Sequence, residues 1–137
     1  MLSKQITPLK HYIIRIKRGS ELMQELLDFC KENNIKSGSF HGIGACGHAE
    51  LGFYRVKTKN YTTKEFKGDH EITTLIGTIS DKKIHAHATI AAENTHVHGG
   101  QVNKMIISAT CEIHLIAGKE TLNRKMDDEV GLELLDI

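Results

Sequence analysis

Apolar positions recur along the chain in two rhythms, and the change from one to the other marks the elements. The run His11 to Lys17 (HYIIRIK), rich in isoleucine and tyrosine, predicts a short strand. Gly19 interrupts it, and Ser20 then offers a helix N-cap with Glu21 in the first turn. Leu22, Leu26, Phe29 and Cys30, with Met23 and Leu27 beside them, repeat at three- and four-residue spacing. That spacing predicts an amphipathic helix over residues 20–33, ending at Asn33-Asn34.

Beyond the helix the period falls to two. Gly38 to Gly44 (GSFHGIG) predicts a buried strand running into a tight bend, Gly47 to Arg55 an extended segment, and Tyr61 to Phe66 a strand paired with a neighbour. Glu71 to Ile79 is full of β-branched residues and ends in a turn at Ser80-Asp81-Lys82. From Ile84 to Ala92 the alternation is clean: Ile84, Ala86, Ala88, Ile90 and Ala92 point one way, His85, His87, Thr89 and Ala91 the other. Met105 to Ile116 alternates too. Met105, Ile107, Ala109, Cys111, Ile113 and Leu115 share one face, and Ser108, Thr110, Glu112 and His114 the other. Gly131 to Ile137 closes as a last strand. One long helix and six to eight strands without βα alternation predict an α+β fold: a largely antiparallel β-sheet flanked by that helix, with room for shorter ones.

Composition narrows the class. At 137 residues the chain has room for a single domain, 1–137, and its 39% apolar and 26% charged residues suit a globular protein. Proline occurs once, so no flexible linker divides it. Eighteen basic against 17 acidic side chains give a net charge of +1, which argues against strong unaided duplex binding. Residues 1–67 nevertheless carry 12 basic and 6 acidic groups, and residues 68–137 carry 6 and 11, an asymmetry that permits a basic face. Cys30, Cys46 and Cys111 are odd in number and widely spaced, and read as reduced, buried thiols. With no apolar targeting segment and no run near the ~20 residues of a membrane span, the expected place is the cytoplasm, with no membrane contact.

Histidine is the loudest chemical signal: nine in all, four of them within His85–His98. His85 and His87 project from one side of their strand, where two neutral imidazoles can chelate a divalent metal such as zinc. A third donor is expected from the segment Glu93 to Gly100 and just after it: His98, or else His96 or Gln101, with Gly99-Gly100 allowing close backbone approach. Two solvated imidazoles on a polar face are the competing reading. His11, His41, His48, His70 and His114 look isolated and read as surface or hydrogen-bonded residues. Glu71 and Glu112 sit in β-branched runs and are the candidate catalytic carboxylates, unless they pair with Arg15 or Arg124. The stretch Phe53 to Lys67 interleaves Arg55, Lys57, Lys59, Lys64 and Lys67 with four aromatics, the makings of a nucleic-acid surface or of a solvated hairpin. No nucleophile elbow, phosphate loop or dinucleotide fingerprint is present.

Several segments, in order and spacing, resemble the PPC ("plants and prokaryotes conserved") domain family. They are Gly19-Ser20-Glu21-Leu22, Gly42-Ile43-Gly44-Ala45, Leu51-Gly52-Phe53-Tyr54, Glu71 to Ser80, His85-Ala86-His87, Gly99-Gly100, Thr110 to Ile113, Arg124 with Asp127, and Gly131 to Leu135. The resemblance implies a homotrimer. It also implies a DNA-associated or regulatory role, which plant members serve with AT-hooks; that motif is missing here, where Pro8 follows Thr7. The fold is similar to that of acetolactate decarboxylase, whose metal is held by a His-x-His pair and the histidine of a following Gly-Gly-His. His85 and His87 match the pair. After Gly99-Gly100 this chain has Gln101, so His98 or His96 is expected to complete the site. Two further readings stay open: a metal-dependent enzyme on a small carbonyl or carboxylate ligand, and a pure assembly module. The balance leans away from an enzyme.

Overall fold

The computed structural model describes residues 2–137. The first strand, β1 (Pro8–Lys17), starts three residues before the isoleucine run, because its backbone pairs as far as Gly118. The helix α1 (Leu22–Glu32) is a turn shorter than its periodicity suggests, and its N-cap is Glu21 rather than Ser20. The Glu21 carboxylate accepts from the backbone N–H groups of Met23 and Gln24, at 3.2 and 2.8 Å. It also accepts from Met105 N–H at 2.9 Å, so one side chain caps the helix and ties it to the sheet.

The glycine-rich segment does not bend away. It forms one long strand, β2 (Gly38–Arg55), whose register shifts at Gly42/Gly44 and Cys46/His48 absorb what would otherwise be a turn. Glycine is required there: a Cβ on Gly44 would run into the Thr110 carbonyl and Cys111 Cα. A 3-10 turn (Val56–Thr58) leads into β3 (Asn60–Ser80), which pairs antiparallel with β2 along nearly its whole length. Next come β4 (Lys83–Ala91) and β5 (Val97–Gly118). The return segment is therefore only Ala92 to His96, and His98, Gly99, Gly100 and Gln101 belong to a strand rather than a loop. Close approach occurs on both sides of the glycine doublet: a Cβ on Gly99 would sit 3.3 Å from the Ala88 carbonyl of β4, and one on Gly100 2.7 Å from the Gly52 carbonyl of β2.

The strands run β1-β5-β2-β3-β4, all antiparallel, and β4 also pairs with the start of β5. The sheet is thus rolled, with β5 shared by both edges. Leu75, Ile79, Ala86, Ala88, Ile90, Ile113 and Leu115 point inward with Phe40 and meet Leu22, Leu26 and Cys30 of α1. Tyr12 and Phe29 meet edge to face at 5.1 Å where α1 crosses β1. Ala109 leaves the inward set and is exposed, because the chain bulges there between the Gly44–Cys111 and Cys46–Ile107 pairs. The fold is α+β with a mostly antiparallel sheet and one helix.

A separate hairpin, β6 (Asn123–Asp127) with β7 (Leu132–Asp136), takes up the tail strand, and its first half has no apolar pattern to announce it. Arg124 fastens it, donating to Ser80 Oγ at 2.9 Å and to the Glu133 carbonyl at 3.1 Å. All three cysteines are buried and free, and burial pushes each thiol up to about 11. Among the described residues no helix is long and apolar enough to cross a membrane.

Candidate functional site: a histidine-bearing sheet face

Antiparallel register places directly opposed residues on the same side of a sheet. Following it across the strands gives two rows on the side away from α1. One row runs His11, Ile116, Ser39, Thr78, His85, and the next Ile13, His114, His41, Ile76, His87. The last pairing of β4 with β5 adds Gln101 opposite His87. This face combines five histidines with isoleucines that have no cover: Ile13, Ile43, Ile76 and Ile116 are 67, 61, 57 and 43% exposed.

His85 and His87 stand together as the alternation predicts, with Nε2 atoms 3.2 Å apart and rings edge to face. A zinc ion with Zn–N bonds of about 2.0–2.1 Å and near-tetrahedral angles separates two ligand nitrogens by about 3.2–3.4 Å. The separation of the pair matches that of two ligands on a shared cation. It equally fits one N–H donating to the other ring. Burial, and then the neighbouring His87, Arg124 and Lys83, hold the His85 imidazole below its ordinary range. That keeps it in the neutral form a metal needs.

Of the three residues considered as a third donor, Gln101 is the one the register sets opposite His87. Side chains on β5 alternate, so the register that puts Gln101 beside His87 sends His98 to the other side, opposite Ile90. There His98 lies against Phe66, ring centroids 4.6 Å apart. His96 sits past the end of β4, where its N–H donates to Asn94 Oδ1. Among the described residues no three histidine, cysteine or carboxylate groups converge on one point. A glutamine carbonyl oxygen is a weak third donor, which fits an exchangeable cation better than a tightly held one.

The two candidate carboxylates stand apart from the pair. Both are exposed rather than buried. Glu71 is five residues along β3 from Ile76, the neighbour of His87, or roughly 16 Å at ~3.3 Å per residue. It lines a shallow cleft of about 990 Å³ with Arg18, Asp69 and His70. Glu112 lies opposite Arg15 and Ile43, three strands from His87. Arg124 serves the β6–β7 hairpin instead.

The basic run forms the tip and sides of the β2–β3 arm. Lys64 and Lys67 leave its opposite faces, Lys64 over the Phe66 ring and Lys67 3.3 Å from Glu65. Arg55 lies over Phe53, and Lys59 Nζ donates to the Asp128 carbonyl at 2.6 Å. The five cations thus do not make one continuous patch.

Three histidines read as isolated are not. His11 Nε2 is 3.2 Å from His114 Nδ1, and the His41 ring lies parallel to His114 at 5.2 Å. They are 30 and 73 residues apart in sequence, and only the strand order brings them together.

Because folded His85 binds its proton less tightly than the unfolded chain does, the unfolded chain protonates first on acidification. This residue's contribution to stability therefore falls as pH drops from ~6.5 toward the lower native value, and levels off below it. In metal-free protein, proton NMR is expected to give His85 a midpoint below the ordinary imidazole value. His87→Gln should move that midpoint part of the way back up. A midpoint at or above 6.5 in both proteins contradicts the burial argument.

The sequence profile of the Plants and Prokaryotes Conserved (PCC, also written PPC) domain matches residues 3–118. No curated protein sequence matches significantly. Among solved structures, a provisionally described DNA-binding protein from Bacteroides thetaiotaomicron is 31% identical, with a TM-score of 0.87 over 97% of this chain and 98% of its own. A PPC protein from Pyrococcus horikoshii is 28% identical, with a TM-score of 0.92 over 100% and 98%. A metal-containing protein from Archaeoglobus fulgidus is 26% identical, with a TM-score of 0.92 over 98% and 99%. Acetolactate decarboxylase from Bacillus subtilis shares the fold alone, at 17% identity and a TM-score of 0.53 over 86% of this chain and 56% of its own. By profile and by fold, the chain belongs to the Plants and Prokaryotes Conserved domain family.

Proposed function

We propose that this chain is a homotrimeric PPC-domain protein that holds a divalent metal at His85 and His87 and serves a DNA-associated, regulatory role. The observation that carries the reading is the outer sheet face. Four isoleucines on four neighbouring strands lie open to solvent, whereas the apolar residues of the inner face are buried. Covering an isoleucine side chain is worth roughly 1.5–3 kcal/mol, and several uncovered isoleucines on one sheet face are a mark of association. The occupant that suits it is another copy of the chain; the count of three comes from the family resemblance.

The metal rests on the 3.2 Å nitrogen separation and on the neutral state of His85. His85 and His87 would hold it, with Gln101 as the third donor. When bound, such an ion polarises a ligand oxygen or braces β4. The Archaeoglobus relative described as metal-containing supports the assignment. An enzyme on a small carbonyl substrate is less well supported, because neither Glu71 nor Glu112 reaches the pair. The DNA-associated role draws on the relatives described provisionally as DNA-binding and on the arm carrying Arg55, Lys57, Lys59, Lys64 and Lys67. With its cations divided between two faces, that arm favours weak, sequence-tolerant contact with phosphates.

Light scattering is expected to give three times the 15.3 kDa of one chain. Ile76→Asp should lower that mass while leaving the circular dichroism spectrum intact. A single-chain mass for the parent protein removes the assembly reading. After equal zinc loading and desalting, the His85→Ala/His87→Ala variant should carry about one zinc per chain less than the parent. Equal zinc in both would show that the pair is not a site. In a gel-shift titration, DNA binding should appear only at low salt and fall steeply as salt rises. No shift even at the lowest ionic strength removes the DNA contact.

A further inference from the structure

The second histidine group lies on three neighbouring strands, β1, β5 and β2, and nothing in the first site uses it. His114 is at its centre, flanked by His11 across one strand boundary and His41 across the other. His41 and His87 stand on either side of Ile76 in the same row. Two strand spacings of ~4.8 Å put them roughly 10 Å apart, too far to share an ion. The two groups are separate.

All three rings are exposed, and strand register sets them side by side on one face. His11 Nε2 and His114 Nδ1 approach to 3.2 Å, the same separation as in the His85–His87 pair and the one that two nitrogens on one tetrahedral ion adopt. With its single proton on Nδ1, neutral His11 turns an Nε2 lone pair toward the gap. Neutral His114, protonated on Nε2, turns its Nδ1 lone pair there as well. No net proton need leave: the change from hydrogen bond to ligand pair is a shift of tautomer. His41 lies flat on His114, with an interplanar angle of 5°, so its nitrogens face sideways as it stands. For His41 to join, its exposed side chain has to turn a nitrogen toward the gap. Glu112, two positions before His114 on the same face, adds a nearby negative charge that favours a cation.

We propose that His11, His114 and His41 form a second site for a divalent transition cation that imidazole suits, such as Zn²⁺, assembled within one chain from three adjacent strands. Imidazole donors with no thiolate select a borderline cation over magnesium or calcium. Because its ligands come from different strands, an ion here cross-links β1, β5 and β2, whereas an ion at His85 and His87 sits on β4 alone.

The test uses the full-length His85→Ala/His87→Ala variant, labelled with ¹⁵N-histidine and titrated with ZnCl₂. Long-range proton–nitrogen correlation spectra are expected to show His11 Nε2, His114 Nδ1 and one nitrogen of His41 moving together, saturating near one zinc per chain. Adding His114→Gln should weaken zinc binding at least tenfold, with the rest of the spectrum unchanged as the check on folding. The proposal is overturned if the three rings do not shift at millimolar zinc, or if His114→Gln binds as tightly as its parent. Shifts at His11 and His114 without His41 overturn the three-ligand assignment. Zinc bound by the parent protein but not by the double variant overturns this second site and leaves the first intact.

Discussion

Burial of the inner face of the sheet is possible only because the backbone of β5 is satisfied on both of its edges. Along one edge β2 takes its N–H and C=O groups from Gln101 to Ala117. The other edge is divided, β4 pairing with Val97 to Gln101 and β1 with Thr110 to Gly118, while Gly19, Ser20 and Glu21 meet the backbone of Met105 and Ile107 between them. An unpaired peptide group in the interior costs about as much as a lost hydrogen bond, so a strand with Met105, Ile107, Cys111, Ile113 and Leu115 buried needs both edges occupied. That requirement rolls the sheet. It also fixes, residue against residue, which side chains from distant parts of the chain stand side by side on the outer face.

The outer face carries what the core does not need. Its isoleucines and histidines alternate from row to row, so apolar surface and imidazole side chains occupy the same ground. Ile76 divides the histidines into two groups. In each, two ring nitrogens come to 3.2 Å, one pair along a single strand and the other across a strand boundary. The first pair follows from the two-residue repeat of a strand; the second exists only because β1 docks on β5 with His11 one step out of line with His114. Whatever covers the isoleucines of such a face also decides how much water reaches the imidazoles.

The sequence was most legible where local chemistry and tertiary burial ask for the same thing. The alternation of Ile84 to Ala91 survives intact because both faces of β4 have unmistakable demands. The helix is equally plain from Leu22, Leu26 and Cys30. Its cap was displaced by one residue, since Glu21 gains a third hydrogen bond from Met105 N–H that no local pattern contains. The bend expected near Gly44 and the loop expected over residues 93–100 share one origin: glycine reads locally as a turn, whereas here it lets two backbones pass closely enough to stay paired. Strand β6, with Asn123, Arg124 and Lys125 in a row, has no apolar face to betray it and is held by Arg124 and its pairing with β7.

What the amino-acid order determined alone was the helix, most of the strands, the inward side of β4 and of most of β5, and the His85–His87 pair, because two residues on one strand need no partner to share a side. What only the tertiary structure decided was everything that crosses a strand boundary. Gln101 rather than His98 stands beside His87 because the register of β5 on β4 sends alternate residues to opposite faces. His11, His41 and His114, 30 and 73 residues apart, meet because backbone pairing, which carries no signature in side-chain sequence, sets β1, β5 and β2 next to one another.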